Sequence, residues 1–359
     1  MLSFLYSLPL LEDEVLETIQ RDSVISFPGL GIDALNPPAY FSVFGHRIYF
    51  YGVLFALGFL LGILYCAKRS RDFGIKADDF YDTVILLIPL SLLFARAYFV
   101  LFRLDEFAGR PLIDYFAVWQ GGIAIYGGII GAILAIYLVC RRKKIPFLAM
   151  LDLTVFGVLI GQIIGRWGNF MNREAFGGPT EIFCRMGLTD PAGHTIYVHP
   201  TFLYESLWNL ALLIALLLWV KKGRRKYDGQ LALLYFFWYG LGRAWIEGLR
   251  TDSLYIGHTG IRVSQALSLV LVLAAGALLL RNRRREHPAE KLYANQAAAA
   301  APAAPEGESA RDGEGGNERP AEPEEDKISG PAEIAEPEQK SAAEADSPAE
   351  IAESAEIDT

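Results

Sequence analysis

The chain has 359 residues, 52% of them apolar, and its formal charge of −8 is unevenly placed. Residues 286–359 carry 20 Asp or Glu against 5 Lys or Arg, which leaves 28 basic and 21 acidic residues before position 286. The apolar residues fall in blocks of roughly 18 to 20, not the 4 to 8 of a core strand, which excludes an ordinary soluble domain and marks a membrane protein. Cys66, Cys140 and Cys184 form neither a disulfide framework nor a zinc-ligand spacing, and none is given a catalytic role. No metal, other cofactor or nucleic-acid partner is expected.

The opening MLSFLYSLPLLEDE is apolar but has no basic flank and turns acidic at once, so it does not read as a cleaved signal peptide. The first span must then act as the insertion signal. Apolar blocks predict spans near 48–66, 82–102, 121–140, 148–165, 202–220, 230–248 and 262–280. Basic clusters follow at Lys68, Arg69 and Arg71, at Arg141 to Lys144, at Lys221 to Lys226 and at Arg281 to Arg285. Seven spans place all four clusters on one side, which the positive-inside rule makes cytoplasmic, with the N-terminus outside. The expected architecture is an all-α polytopic membrane protein of about seven transmembrane helices. Residues 1–47 form an extracytoplasmic segment, 48–281 the membrane domain, 168–200 an extracytoplasmic head loop and 286–359 an acidic tail. MGLTDPAGHTIYVHP reads as a hairpin around Pro-Ala-Gly, and the Ala/Glu/Pro tail reads as disordered because it has too little apolar surface to bury.

Several polar groups sit where orientation alone does not explain them. Tyr49, Tyr51 and Gly52 open the first span, where an aromatic belt is expected in any case. In QGGIAIYGGIIG, Gly127 and Gly131 make a small-xxx-small pair, more often helix packing than a ligand site. Arg166, Arg243 and Arg250 lie at the ends of their spans opposite the basic clusters. A charge at membrane depth costs a few kcal/mol and normally faces a protein interior or a wet cavity with a partner. Snorkelling to the headgroups is the alternative. In GQIIGRWGNFMNREAFGG, Arg166 and Asn169 share a helical face if the helix persists, with Asn172 three further on; a glycine-rich helix end turning into a loop is the other reading. In FFWYGLGRAWIEGLRTD, Tyr239, Arg243, Glu247 and Arg250 share one stripe, and Arg243 can pair with Glu247 either to hold the helix or to frame a site. Converging arginines suit a phosphate, and the phosphate at that depth belongs to a phospholipid.

From about residue 36 to 281 the chain resembles the prolipoprotein diacylglyceryl transferases. The resemblance rests on the Tyr-Gly start of the first span, ARAYFVLF, QGGIAIYGGIIGA, GRWGNFMNREAFGG, HPTFLYES and GRAWIEGLRTDS, in that order. It implies transfer of the diacylglyceryl group of phosphatidylglycerol to the lipobox cysteine thiol of a prolipoprotein signal peptide, with release of glycerol 1-phosphate. It also implies a home in the bacterial cytoplasmic membrane among membrane lipids. By resemblance the signature arginine and asparagine fall on Arg166 and Asn169, and the following glycine on Gly177. The catalytic tyrosine and arginine of the penultimate span fall on Tyr239 and Arg243, the next acidic and basic positions on Glu247 and Arg250, and the first-span tyrosine on Tyr51. Known members have a histidine where this chain has Tyr126. A phenol near pKa 10 starts mostly protonated, whereas an imidazole near 6.5 is a ready base. Either Tyr126 orients the headgroup, or the arginines lower a phenol or the thiol enough that little base catalysis is needed. A transporter would be expected to show interrupted repeats, and an intramembrane protease a Ser/His or paired-Asp set; the sequence presents neither.

Overall fold

The computed structural model describes residues 23–251 and 262–300. Two short strands, β1 (Val24–Phe27) and β2 (Ile32–Leu35), precede a hairpin of β3 (Tyr40–Val43) and β4 (His46–Tyr49), and helix α1 (Phe50–Arg69) follows without a break. Next come α2 (Ala77–Leu101), the single turns α3 (Leu104–Phe107) and α4 (Leu112–Phe116), α5 (Ile125–Lys143) and α6 (Phe147–Asn172). Strands β5 (Met186–Thr189) and β6 (Thr195–Val198) lead into α7 (Thr201–Lys221), α8 (Gln230–Leu249), α9 (Val263–Arg283) and the short α10 (Tyr293–Ala299).

Among the described residues, six of the seven long helices are long and apolar enough to cross a membrane, and leucines and isoleucines such as Leu60, Ile85, Ile133 and Leu273 stand exposed on them. In water such faces would cluster; in hydrocarbon they are the solvated surface. Helix α8 matches the others in length, but Gln230, Arg243 and Glu247 dilute its apolar content and it falls short of their hydropathy. The expected 121–140 span begins at Ile125. Arg96 of α2, buried in the bundle, donates to the carbonyls of Gly121 at 2.7 Å and Gly122 at 2.8 Å and holds that stretch out of the helix. The 148–165 span runs on to Asn172, so the Arg166 motif is helical throughout.

Helix pairs close through glycine, as hydrocarbon-embedded helices require when no hydrophobic effect drives them together. A Cβ at Gly62 of α1 would lie 2.8 Å from the Gly157 carbonyl of α6, and one at Gly131 of α5 would strike the backbone of Leu90 and Ser91 in α2. Gly127 and Gly131 are therefore packing residues. At the end bearing the basic clusters, Phe73, Phe80, Met150, Phe156, Leu216 and Leu231 form the larger buried core.

At the opposite end, a four-stranded antiparallel sheet in the order β2-β1-β5-β6 caps the bundle. The hairpin expected from MGLTDPAGHTIYVHP is β5–β6, with Leu188 opposite Ile196 and a turn at Asp190–Gly193. The Asp190 side chain accepts from the His194 amide at 2.8 Å, which holds its carboxyl below the usual range. Alternate residues Ile25, Phe27, Met186 and Leu188 face inward onto Val198 and Phe202. Sequence patterning did not anticipate β1, β2 or the β3–β4 hairpin. Arg173, fully buried, ties the N-terminal segment down by donating to the Ser23 carbonyl at 2.7 Å, to Asn36 Oδ1 at 2.7 Å and to the Pro37 carbonyl at 2.9 Å. Beyond position 286 a 3-10 turn at Ala289–Lys291 and α10 are present, and residues 301–359, on which most of the expected disordered tail falls, lie outside the described residues.

Candidate active site

The last turns of α6, the first turn of α7 and the second half of α8 meet beneath the sheet. Helix α6 carries Arg166 and Asn169 on one face because its helix persists past the glycines. Arg166 Nη1 donates to Asn169 Oδ1 at 3.2 Å, Asn169 Nδ2 donates to Glu174 Oε1 at 2.8 Å, and Asn172 Nδ2 reaches the same oxygen at 3.3 Å. Helix α8 places Arg243 and Glu247 four apart, and Arg243 Nη2 lies 2.7 Å from Glu247 Oε2. The pairing read from spacing is therefore real.

The junction between the two arginines is a residue that sequence reasoning passed over. Glu205, on α7 and buried, pairs through Oε2 with Arg166 Nε and through Oε1 with Arg243 Nη1 at 2.5 Å. One carboxylate thus fixes both guanidiniums. A buried charge without a partner costs several kcal/mol, so each of the three holds the others in place. The signal was present: HPTFLYES puts a carboxylate in the opening turns of an apolar 21-residue helix, and the rule that singled out the arginines applies equally to it. Arg262 extends the array by donating to the Glu247 carbonyl.

Tyr239 sits one turn from Arg243 with its ring stacked on Tyr235 at 5.4 Å, and its charged and titratable neighbours are Glu205, Arg243, Arg166 and Tyr126. Tyr126 opens α5, partly exposed, with its ring 6.3 Å from that of Tyr98. Arg96 sets its position indirectly by gripping the preceding glycines. Tyr51 lies over Gly168, where any Cβ would come within 2.6 Å of its ring. Gln162, one turn below Arg166, donates to the Tyr235 hydroxyl at 2.9 Å, and its buried Oε1 has no hydrogen-bond partner among the described residues.

Gly177 plays a different part from these. Its amide donates to the His199 carbonyl at 2.9 Å, it bridges Arg250 as in an antiparallel ladder, and a Cβ would strike His199 and the Leu249 carbonyl at 2.7 and 3.0 Å. It clamps the head loop onto the end of α8. Arg250, half-buried, caps that helix, its amide donating to the Glu247 carbonyl at 3.2 Å. His199 contacts the Tyr204 hydroxyl at 3.3 Å, and burial pushes its imidazole below its ordinary pKa. Positive charge here therefore comes from guanidiniums. Among the described residues no group of three His, Cys, Asp or Glu could hold a metal ion.

Tyr51, Arg166, Asn169 and Tyr239 line one end of a cavity of about 480 Å³, whose remaining wall is mainly apolar. A guanidinium at one end of an apolar cavity, tied through a buried carboxylate to a second guanidinium, defines in a helical bundle a polytopic membrane protein with a site suited to an amphiphile bearing an anionic head. Comparison with known sequences narrows this. Residues 38–281 match the prolipoprotein diacylglyceryl transferase family. A phosphatidylglycerol–prolipoprotein diacylglyceryl transferase of Finegoldia magna is 40% identical over 245 residues, covering 68% of this chain and 95% of its own length. Proteins of the same name from Clostridioides difficile and Gloeobacter violaceus are 43% identical over 236 residues and 41% over 253, covering 65% and 69% of this chain and 90% and 93% of their own lengths. The chain belongs to the prolipoprotein diacylglyceryl transferase family, and is a multi-pass membrane transferase.

Proposed function

We propose that the protein transfers the diacylglyceryl group of phosphatidylglycerol to the lipobox cysteine of prolipoproteins, and that Arg166, Glu205, Tyr239 and Arg243 form its reaction centre. The observation that carries the assignment is Glu205 fixing both guanidiniums, of which Arg166 lines the polar end of an apolar cavity. Each guanidinium has five N–H donors, and the bonds to Glu205, Asn169 and Glu247 use only part of them. The remainder can meet phosphate oxygens. Because two carboxylates offset two guanidiniums, recognition rests on directed donors more than on excess charge.

The acceptor thiolate attacks the glyceryl carbon bonded to phosphate, an S–C bond forms, and the C–O bond breaks with its electron pair passing to the phosphate oxygen. The thiol proton leaves to solvent, and glycerol 1-phosphate departs. Charge grows on the leaving oxygen, and fixed donors from Arg166 and Arg243 stabilise it in a site drier than water. Asn169 and Tyr239 orient the headgroup, while Glu247 holds Arg243. A thiol near pKa 8.5 needs a small shift to populate its thiolate beside two guanidiniums. Tyr126 then orients the headgroup, and no histidine base is required. Tyr51 borders the cavity mouth; Gly177 and Arg250 position the head loop above it.

The positive-inside rule assigns the end with the basic clusters to the cytoplasm and the sheet, with the reaction centre beneath it, to the outer face, where secreted preproteins emerge. The deciding assay uses full-length protein, phosphatidylglycerol and a lipobox peptide. The peptide is expected to gain one diacylglyceryl unit with stoichiometric glycerol 1-phosphate, and Arg243→Ala to abolish both. Failure of folded wild-type protein to modify the peptide overturns the assignment.

A further inference from the structure

The cavity continues far below the arginines. On α1 its lining runs from Tyr51 to Cys66 and on α6 from Asn169 back to Thr154. Each stretch is a rise of about 22 Å at ~1.5 Å per residue. Half of a ~30 Å hydrocarbon core is about 15 Å, so the lining is longer than one leaflet is deep.

Three glycines of α6 shape it. A Cβ at Gly165 or Gly161 would meet nothing within 4 Å, so these positions leave open space where a side chain would stand. Further down, a Cβ at Gly157 would lie 3.0 Å from Cys66 Sγ, and the groove closes against Cys66, Phe80 and Thr83. Spreading about 480 Å³ over that length gives a cross-section near 22 Å². That is room for an extended hydrocarbon chain whose neighbours sit about 4 Å away. Carbon–carbon bonds of ~1.5 Å at near-tetrahedral angles advance about 1.25 Å each, so the cavity takes roughly 14 to 18 extended carbons.

Resting on the transferase reading above, we propose that this cavity is a length gauge for the donor lipid: one acyl chain lies extended along Gly165 and Gly161, and the floor beneath Gly161 sets the longest chain accepted. The second chain stays in the surrounding lipid. Side chains added at Gly161 shorten the groove from about the eighth residue below Asn169 without touching the arginine centre.

The test compares dioctanoyl and dipalmitoyl phosphatidylglycerol as donors to a lipobox peptide, for full-length wild type, Gly161→Ala and Gly161→Leu in one detergent. Wild type is expected to use both donors. Gly161→Leu should lower the palmitoyl-to-octanoyl ratio of kcat/KM by about tenfold or more, the scale on which a filled hydrophobic pocket discriminates, with Gly161→Ala shifted less in the same direction. An unchanged ratio in Gly161→Leu with octanoyl turnover intact overturns the gauge. If Gly161→Leu is wholly inactive, the Gly161→Ala ratio decides, and no shift there overturns it. Wild type inactive with both donors instead overturns the transferase reading on which the gauge rests.

Discussion

Two buried arginine–carboxylate clusters lie at opposite ends of the bundle, and they differ in what their hydrogen bonds face. At the basic end, Asp152 is fully buried and accepts from the Gly229 and Ala232 amides, each at 2.9 Å, and from Arg225 Nε at 3.1 Å. It thereby caps the N-terminus of α8. Arg225 also meets Asp228 at 2.7 Å and lies 4.4 Å over the Phe73 ring, while Asp228 accepts from the Tyr293 amide at 3.1 Å. Backbone groups take up the carboxylates, and no member lines the cavity. At the other end, the carboxylates take up guanidiniums, and Arg166 opens onto the cavity. Burial and pairing are common to both; access to the cavity separates the structural cluster from the one proposed as the reaction centre.

The comparison can be broken by substitution, starting where the effect is largest. Asp152→Ala strands Arg225 and uncaps α8, so a loss of about 3 to 5 kcal/mol is expected, read as loss of monodisperse protein after extraction. A well-folded, fully active variant would show that the cluster at the basic end is not a structural keystone. Arg243→Lys keeps the charge but not the planar fork; about 100-fold or more of kcat should go, with the thermal unfolding midpoint nearly unchanged. Equal damage to stability and turnover would make the two clusters alike. Glu205→Gln keeps the shape and loses the charge that fixes both guanidiniums, and turnover is expected to fall about 10-fold, with weaker phosphatidylglycerol binding measured by titration. Tyr126→Phe should cost less than about threefold in kcat, since only one orienting hydrogen bond is lost. A 100-fold loss there would return the phenol to the chemistry as a base.

Local patterns carried much of this into the sequence. The Arg243–Glu247 and Arg166–Asn169 pairs follow from helical spacing, the spans from apolar length and β5–β6 from its turn residues. What stayed hidden is non-local. Glu205 finds its partners 39 and 38 positions away on other helices, and no periodicity encodes that. Strand β1 is too short to signal itself and exists because residues 187–189 pair with it. Arg225 belongs to a cluster whose residues read as topological markers, yet it is buried in an ion pair. Composition counts a charge without saying where its side chain goes.

The anchoring of residues 23–37 by Arg173 and β5 has a consequence for the order in which the protein is made. Ser23 and strand β1 leave the ribosome before any of the described spans, with β2 close behind, but Arg173 and β5 emerge some 150 to 165 residues later. At ~5 to 20 residues per second that is a wait of roughly ten to thirty seconds, with Ile25 and Phe27 uncovered meanwhile. The head cannot close until four spans have been threaded. Closure of the sheet is thus timed by the membrane domain.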